Sequence, residues 1–329
     1  MLGHGSGGRL SAELLSEIFL PLFSNPVLDC LDDQAVVEIG GSKIAFTTES
    51  FVVKPLFFAG GDIGSLAVHG TINDLAMGGA RPLFLSAAFI LEEGFPIPDL
   101  RRIAESLAKA AASAGVTVVT GDTKVVEKGK GDGLFINTTG IGVVPDGIRL
   151  SAGQAQPGDR VILSGPIGDH GIAILAQREG LEFETEIASD SAPLHELVAA
   201  MLEASTGIRC LRDPTRGGLS SALNEIAAQS GVSIQIEEIK IPVRGEVKGA
   251  CELLGLDPLY VANEGKLVAI VAPEAADRML AAMRGHGAPE ANVIGIVGAQ
   301  HAGMVSMKTA FGSTRIVDLL AGDQLPRIC

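Results

Sequence analysis

Apolar and polar positions along this chain fall into two successive series of strands and helices. In the first, Leu10 to Phe19 and Ile63 to Met77 repeat apolar residues at helical spacing, and Pro98 to Ala114 reads as an alanine-rich helix stopped by Gly115. Gln34 to Ile39 and Lys43 to Thr48 read as strands meeting in a hairpin at Gly40-Gly41-Ser42, because glycine accepts the backbone angles of tight turns. Phe84 to Leu91, Val116 to Thr120 and Leu134 to Val144 complete the first series as strands. Pro145 to Asp159 is polar and rich in glycine and proline, which marks a linker.

The second series opens with a strand at Arg160 to Ser164. Helices are expected at Ile172 to Arg178, Pro193 to Glu203, Gly218 to Gln229, Gly245 to Leu254 and Ala275 to Met283, with strands at Val232 to Ile236, Lys266 to Val271 and Val293 to Val297. Thr314 to Leu320 has a helix-like look, and Pro326 keeps the last residues of the chain from joining it. Both halves are α+β. With 329 residues the chain exceeds one comfortable core, so we expect domains at 1–145 and 158–312 and a mobile tail at 313–329.

Composition narrows the function. A net charge of −14 disfavours nucleic acid and anionic membranes as partners. The four cysteines, Cys30, Cys210, Cys251 and Cys329, show no C-x-x-C spacing, which argues against zinc and iron–sulfur centres. There is no signal-peptide pattern at Met1-Leu2-Gly3-His4-Gly5 and no apolar run of the ~20 residues a membrane helix needs, so a soluble cytoplasmic protein with reduced thiols is expected. Neither G-x-G-x-x-G after a strand nor G-x-x-x-x-G-K-[ST] occurs, and Rossmann and Walker-type sites are not supported.

Five polar clusters interrupt the apolar pattern: Asp32-Asp33, Asn73-Asp74, Gly121 to Lys124, Asp213 to Gly218, and Asn263 to Lys266. Any one Asp serves equally as a helix cap or turn residue. Several together want a divalent cation such as Mg²⁺, and a glycine-rich N-terminus beside them can wrap phosphates with its N–H groups. The sequence ends on Cys329, whose thiol is either an inert group on a frayed end or a sulfur carried on an arm.

These residues resemble a known superfamily. Asp32-Asp33-Gln34-Ala35-Val36, Thr47-Thr48-Glu49-Ser50, Asn73 to Ala80 and Thr120 to Lys124 are similar to motifs of the PurM-like (aminoimidazole ribonucleotide synthetase-like) ATP-using proteins. Gly3-His4-Gly5-Ser6-Gly7-Gly8, Asp213 to Leu219 and the ending Pro326-Arg327-Ile328-Cys329 resemble, within it, the HypE hydrogenase maturation factors. The motifs cover the whole chain in order.

The resemblance implies a two-domain fold whose N-terminal sheets pair into a β-barrel across a homodimer, with ATP in the cleft under the glycine segment. It implies Mg²⁺ at Asp33, Asp74 and Asp213 with Asp32 beside them, while the ligand status of Asp122 and Glu49 stays open. It assigns ATP contacts to Gly5, Ser6, Gly7, Gly8, Asn73, Gly121, Asp122, Thr123, Thr215, Arg216 and Gly217, and chemistry to Cys329, Lys124, Glu264 and His4. Lys124 reads alternatively as the ion-pair partner of Asp122, and Glu264 as a turn or cap residue.

The implied activity is ATP-dependent dehydration of a carbamoyl group on Cys329 to a thiocyanate. The group would come from a HypF-like carbamoyltransferase and pass to iron on a HypC–HypD-like scaffold for a [NiFe] hydrogenase. Two alternatives stay open: a small-molecule ligase or kinase of the same superfamily, and a non-catalytic carrier. Among small-molecule readings selenide is disfavoured, since Gly3 to Gly8 contains no cysteine.

Overall fold

The structure is a computed structural model that describes residues 2–181, 187–320 and 327–329. Its first part contains α1 (Arg9–Leu14), a π-helical turn at Leu15–Phe19, α2 (Leu20–Phe23), β1 (Ala35–Ile39), β2 (Ser42–Phe51), β3 (Phe57–Phe58), β4 (Gly61–Asp62), α3 (Ile63–Met77), β5 (Arg81–Glu92), α4 (Ile97–Ser113), β6 (Thr117–Val126) and β7 (Leu134–Val144). Five strands form a sheet in the order β1-β2-β7-β5-β6, antiparallel except for the β5–β6 pair.

Local chemistry explains where these elements start and stop. Ile39 pairs with Ser42, so the hairpin loop is Gly40-Gly41, and both residues take the positive φ (61° and 82°) of a type I′ turn. Asp62 accepts from the N–H groups of Gly64 (2.8 Å) and Ser65 (3.1 Å), while the Ser65 hydroxyl accepts from the Asp62 N–H, a reciprocal cap that starts α3. Helix α3 is buried nearly all round because it lies between the sheet, α4 and the second domain.

The opposite face of the sheet is open. Phe46 and Phe84 both register against Ile141, and these three with Ile90 are 37–45% exposed. Among the described residues β1 and β6 are edge strands, and no barrel closes.

The second part contains β8 (Arg160–Leu163), α5 (Asp169–Glu179), α6 (His195–Ala204), β9 (Ile208–Arg212), α7 (Gly218–Ser230), β10 (Ser233–Glu237), α8 (Gly245–Leu254), β11 (Val268–Val271), α9 (Ala276–Gly285), β12 (Asn292–Gly298), β13 (Val305–Lys308) and β14 (Thr314–Ile316). Its seven-stranded sheet runs β14-β13-β10-β12-β8-β11-β9. Leu219, Leu223 and Ile226 of α7 fill one apolar cluster, and Met201 of α6 with Met279 and Met283 of α9 fill another. Helices α5 and α8 instead contribute Ile172, Ile174, Val247 and Cys251 to the core of the first domain. The two domains therefore share apolar packing.

One expectation is corrected and one strand was not foreseen. Thr314 to Leu320 is not helical: Thr314–Ile316 pairs with β13, as β-branched residues beside a free strand edge favour. Strand β9 has no counterpart among the expected elements, because Ile-Arg-Cys-Leu-Arg carries only a short alternation. The linker is anchored to the first domain, since Asp32 Oδ1 accepts from the Ala152 N–H (2.9 Å) and the Ser151 hydroxyl (3.2 Å). Pro326 lies outside the described residues.

The α3 cap carries a measurable consequence. Asp62→Ala should lower unfolding free energy by about 1 kcal/mol, and Asp62→Asn should recover most of it, as read by urea denaturation. Equal stability of Asp62→Ala and the parent would show that the cap is idle.

Candidate active site

The end of β2, α3, the loop between β9 and α7, and the C-terminal residues converge on one cavity of about 360 Å³. Its wall includes Gly7, Asp33, Thr47, Glu49, Asp74, Arg212, Asp213, Thr215, Arg216 and Cys329. Thr47 donates through its hydroxyl to Asp74 Oδ2 at 2.7 Å. Arg212 spans Asp33 Oδ1 (3.3 Å) and Glu225 Oε2 (2.6 Å). One side of Glu49, Oε2, is buried and has no hydrogen-bond partner, and the same holds for Oε1 of Glu264, which is 3% exposed.

So many carboxyl groups withdrawn from water hold their protons tightly. Burial raises Asp33 to about 8 although Arg212 pulls against it, and neighbouring Asp213, Glu225 and Asp32 push further. Burial raises Glu49 and Asp213 to about 7, and lifts Asp74 and Glu264 well above the usual carboxyl range. The Cys329 thiol is pushed up to about 12 by burial, against the pull of Arg216 and with Glu264 and Glu49 adding to the rise. A neutral thiol therefore sits in this cavity.

The chain end is seated by its backbone. The Val52 N–H donates to the main-chain oxygen of Cys329 (2.9 Å) and the Lys54 N–H to that of Arg327 (3.3 Å), continuing β2 beyond Phe51 as an antiparallel pairing. Arg178 Nη2 donates to the Arg327 carbonyl (2.8 Å), and Arg327 Nε donates to the Val52 carbonyl (3.0 Å) while its guanidinium pairs with Asp132. His170 Nε2 donates to the Ile328 carbonyl at 2.8 Å. Ile328 is 4% exposed and belongs to the core shared by the domains.

The glycine-rich N-terminus folds over the Thr215-to-Gly218 loop. Gly5 and Gly7 accept through their carbonyls from Arg216 Nη1 (3.0 Å) and the Ser221 hydroxyl (2.9 Å). Gly7 has φ +76°, and a Cβ there would lie 2.6 Å from Arg216 Cβ. Gly217 takes φ +77° against the Ser221 hydroxyl. Gly7 and Gly8 also line an adjoining groove of about 830 Å³ with Leu15, Leu28, Asp32, Asp33 and Phe46. His4, Gly5 and Ser6 stand outside both walls; the His4 carbonyl accepts from the Ser11 hydroxyl (2.9 Å), and the Ser6 hydroxyl donates to Gly3 O (2.8 Å).

Of the expected site residues, Asp33, Asp74, Asp213, Thr215, Arg216, Gly7 and Cys329 meet in the cavity, and the Glu264 carboxyl bears electrostatically on Cys329. Asn73 does not join them. Its amide donates to the Ala192 (3.1 Å) and Glu264 (3.3 Å) carbonyls and accepts from the Leu194 N–H (2.8 Å), tying α3 to the second domain. Gly121, Asp122, Thr123 and Lys124 are likewise elsewhere: they lie within the exposed edge strand β6, where Lys124 Nζ sits 2.5 Å from Asp122 Oδ2. That strand runs on past Thr120, where the apolar pattern alone would end it. Asp32 serves the Ser151–Ala152 turn and lines the groove.

Among the described residues no three His, Cys, Asp or Glu side chains are gathered tightly enough to hold an ion as they stand. The donor set nonetheless suits a hard cation, since Asp33, Glu49, Asp74 and Asp213 offer oxygens with too few cationic neighbours. Sequence reasoning missed Arg212, Glu225 and His170, and gave Thr47 no role beyond its place in a motif. Arg212 directly precedes Asp213, the one local signal available; an isolated His such as His170 carries none.

Models of the AIR synthase related proteins match the chain over residues 31–144 (N-terminal domain) and 156–308 (C-terminal domain). Carbamoyl dehydratase HypE of Azotobacter vinelandii is 62% identical over 327 residues, covering 99% of this chain and 96% of that protein. The chain belongs to the HypE family. A crystal structure of a HypE–HypF complex matches with a TM-score of 0.89 at 50% identity, covering 93% of this chain and 99% of that one. HypE in complex with ATP matches with a TM-score of 0.85 at 49% identity, covering 100% and 99%. These likenesses establish the PurM-like two-domain α+β fold.

The acid cluster has a pH signature. Unfolded carboxyls titrate near pH 4, whereas Asp33, Glu49 and Asp213 titrate near 7 to 8 when folded, so between these limits the native state binds more protons. Their contribution to stability is present below about pH 4 and is lost as pH rises through 7 to 8. In EDTA the Tm should fall between pH 5.5 and 8.5 by calorimetry, and Asp33→Asn should flatten the fall. A Tm that rises over that range contradicts the assignment.

Proposed function

We propose that this protein removes water from a carbamoyl group carried on the sulfur of its own Cys329, leaving a thiocyanate that supplies cyanide to the iron of a [NiFe] hydrogenase. The observation that carries this reading is a neutral Cys329 thiol seated among Glu264, Arg216 and the acidic cluster, in a chain 62% identical to a carbamoyl dehydratase. A thiol held protonated is a poor nucleophile, so loading belongs outside the cavity, on a HypF-like carbamoyltransferase. The HypE–HypF complex of a relative supports that partner.

The chemistry needs a better leaving group than hydroxide. The carbamoyl oxygen takes the γ-phosphoryl group of ATP and ADP departs; the nitrogen gives up one proton. Loss of its second proton as phosphate leaves closes the C≡N bond. Glu264 is the proton acceptor in this scheme: burial raises its proton affinity, so its ionised form is a strong base, and its buried carboxyl bears electrostatically on Cys329 with one oxygen unpartnered. Arg216, beside both Cys329 and the glycine segment, orients the phosphate end. Asp33, Asp74 and Asp213, with Glu49, would hold Mg²⁺, which neutralises phosphate charge when bound. ATP lies in the groove under Gly7 and Gly8 in this reading, and the ATP complex of a relative supports the nucleotide as ligand.

The apolar face of Phe46, Phe84, Ile90 and Ile141 supports a homodimer whose N-terminal sheets close into a barrel. In that assembly Lys124, registered beside Ile90, contributes from the interface between copies rather than within one cavity. We further assign transfer of the cyano group to a HypC–HypD-like iron scaffold, and the cytoplasm as compartment, where the four free thiols stay reduced.

Intact-protein mass spectrometry tests the reading. After loading with a HypF-type transferase and carbamoyl phosphate, addition of MgATP should remove one water at Cys329. Cys329→Ala and Cys329→Ser should give no thiocyanate. Glu264→Gln should accept the carbamoyl group yet dehydrate it ~10²–10⁴-fold more slowly. A carbamoyl adduct unchanged by MgATP in the parent protein would make it a carrier instead.

A further inference from the structure

His170 takes no part in the dehydration scheme, yet it is fully buried between the chain end and the loop that supports Glu264. Its ring stands edge-on to Phe58 with centroids 5.7 Å apart. Because Nε2 donates to the Ile328 carbonyl, Nδ1 accepts, and its partner is the Ser189 hydroxyl at 2.7 Å. The same hydroxyl accepts from the Ser191 N–H (3.1 Å). Between these serines, Asp190 accepts from the Glu264 N–H (3.1 Å) and pairs with Lys266 (2.9 Å), both ends of that pair being largely buried. One ring thus joins the backbone of the substrate-bearing tail to the segment that fixes the base.

We propose that His170 is a positioning residue: by bonding the Ile328 carbonyl on one side and Ser189 on the other, it latches the tail in register with Glu264 and sets how long Cys329 stays in the cavity. The contact is to a main-chain oxygen, so it reads the depth of the tail rather than its side chains. Arg178 on the Arg327 carbonyl and the pairing with Val52 and Lys54 act in the same sense. Arg327 itself holds φ +54°, a conformation that a non-glycine residue keeps only when its surroundings fix it. Without the ring, the Ile328 carbonyl would be buried with no partner from His170, and the seated state would lose population to the released one. The catalytic consequence rests on the dehydratase reading; the latch itself does not.

The test separates the two. Full-length protein without a carbamoyl group is treated with iodoacetamide, and labelling of Cys329 is followed by peptide mass mapping. His170→Phe, which keeps a packed ring but no polar atoms, should raise Cys329 labelling on the order of tenfold. His170→Gln, which retains a donor toward Ile328, should restore protection to within about threefold of the parent. Ser189→Ala, the change least able to disturb folding, should give an intermediate rise. In loaded protein the dehydration rate should drop in the same order, with the half-saturating ATP concentration unmoved. Parent-like labelling of Cys329 in both Ser189→Ala and a folded His170→Phe would overturn the latch. Loss of protection in these variants from a parent protein that does not dehydrate would support the latch and remove the dehydratase reading.

Discussion

Asp33, Glu49, Asp74, Asp213 and Glu264 are crowded at the seam between two domains, with Arg212 and Arg216 as the cationic counterweights. Bringing like charges together away from water costs free energy unless protons, guanidinium groups or a cation offset it. Much of the local architecture serves this constraint. Arg212 is locked between Asp33 and Glu225, Thr47 gives its hydroxyl to Asp74, and Arg216 is held in place by the carbonyl of Gly5. A site of this kind is poised to take up positive charge together with a polyphosphate, because each relieves the repulsion the other would meet.

The seam is also where the domains lose their independence. Helices α5 and α8 belong to the second domain by sequence and to the first by packing. Asn73 closes the arrangement with three backbone hydrogen bonds to Ala192, Glu264 and Leu194. Relative motion of the domains would break buried polar contacts and open an apolar cluster at once, so the moving part is better sought in the chain end than in a hinge.

Long, well-punctuated elements were legible in the sequence. Ile63 to Met77, Leu134 to Val144 and Gly245 to Leu254 appear with the bounds their periodicity suggests, and Gly40-Gly41 makes the expected turn. Short strands escaped, because the three to five residues of Thr314–Ile316 and Ile208–Arg212 acquire their state from a neighbour's edge rather than from their own pattern. In the site, the acidic positions and Cys329 were readable because they stand as polar interruptions in apolar surroundings. Asn73 stands out for the same reason, although a buried amide that ties loops together looks, in sequence, like one that faces a ligand. Lys124 and Asp122 lie apart from the cavity because the strand carrying their motif is an exposed edge, a placement that no local pattern reveals. His170 was invisible, since its role comes from residues 19 and 158 positions away.

Ile328 counts among the core residues although it precedes the sulfur that, in the proposed scheme, is loaded elsewhere. Burying a side chain of that size is worth roughly 1.5–3 kcal/mol, which alone favours the inward position by about ten- to a hundredfold. Any departure of the tail would therefore be a small local unfolding event, exposing an apolar hole where two domains meet. A partner drawing the cysteine out would have to cover that greasy residue with its own surface, or leave the protein in a less cohesive form.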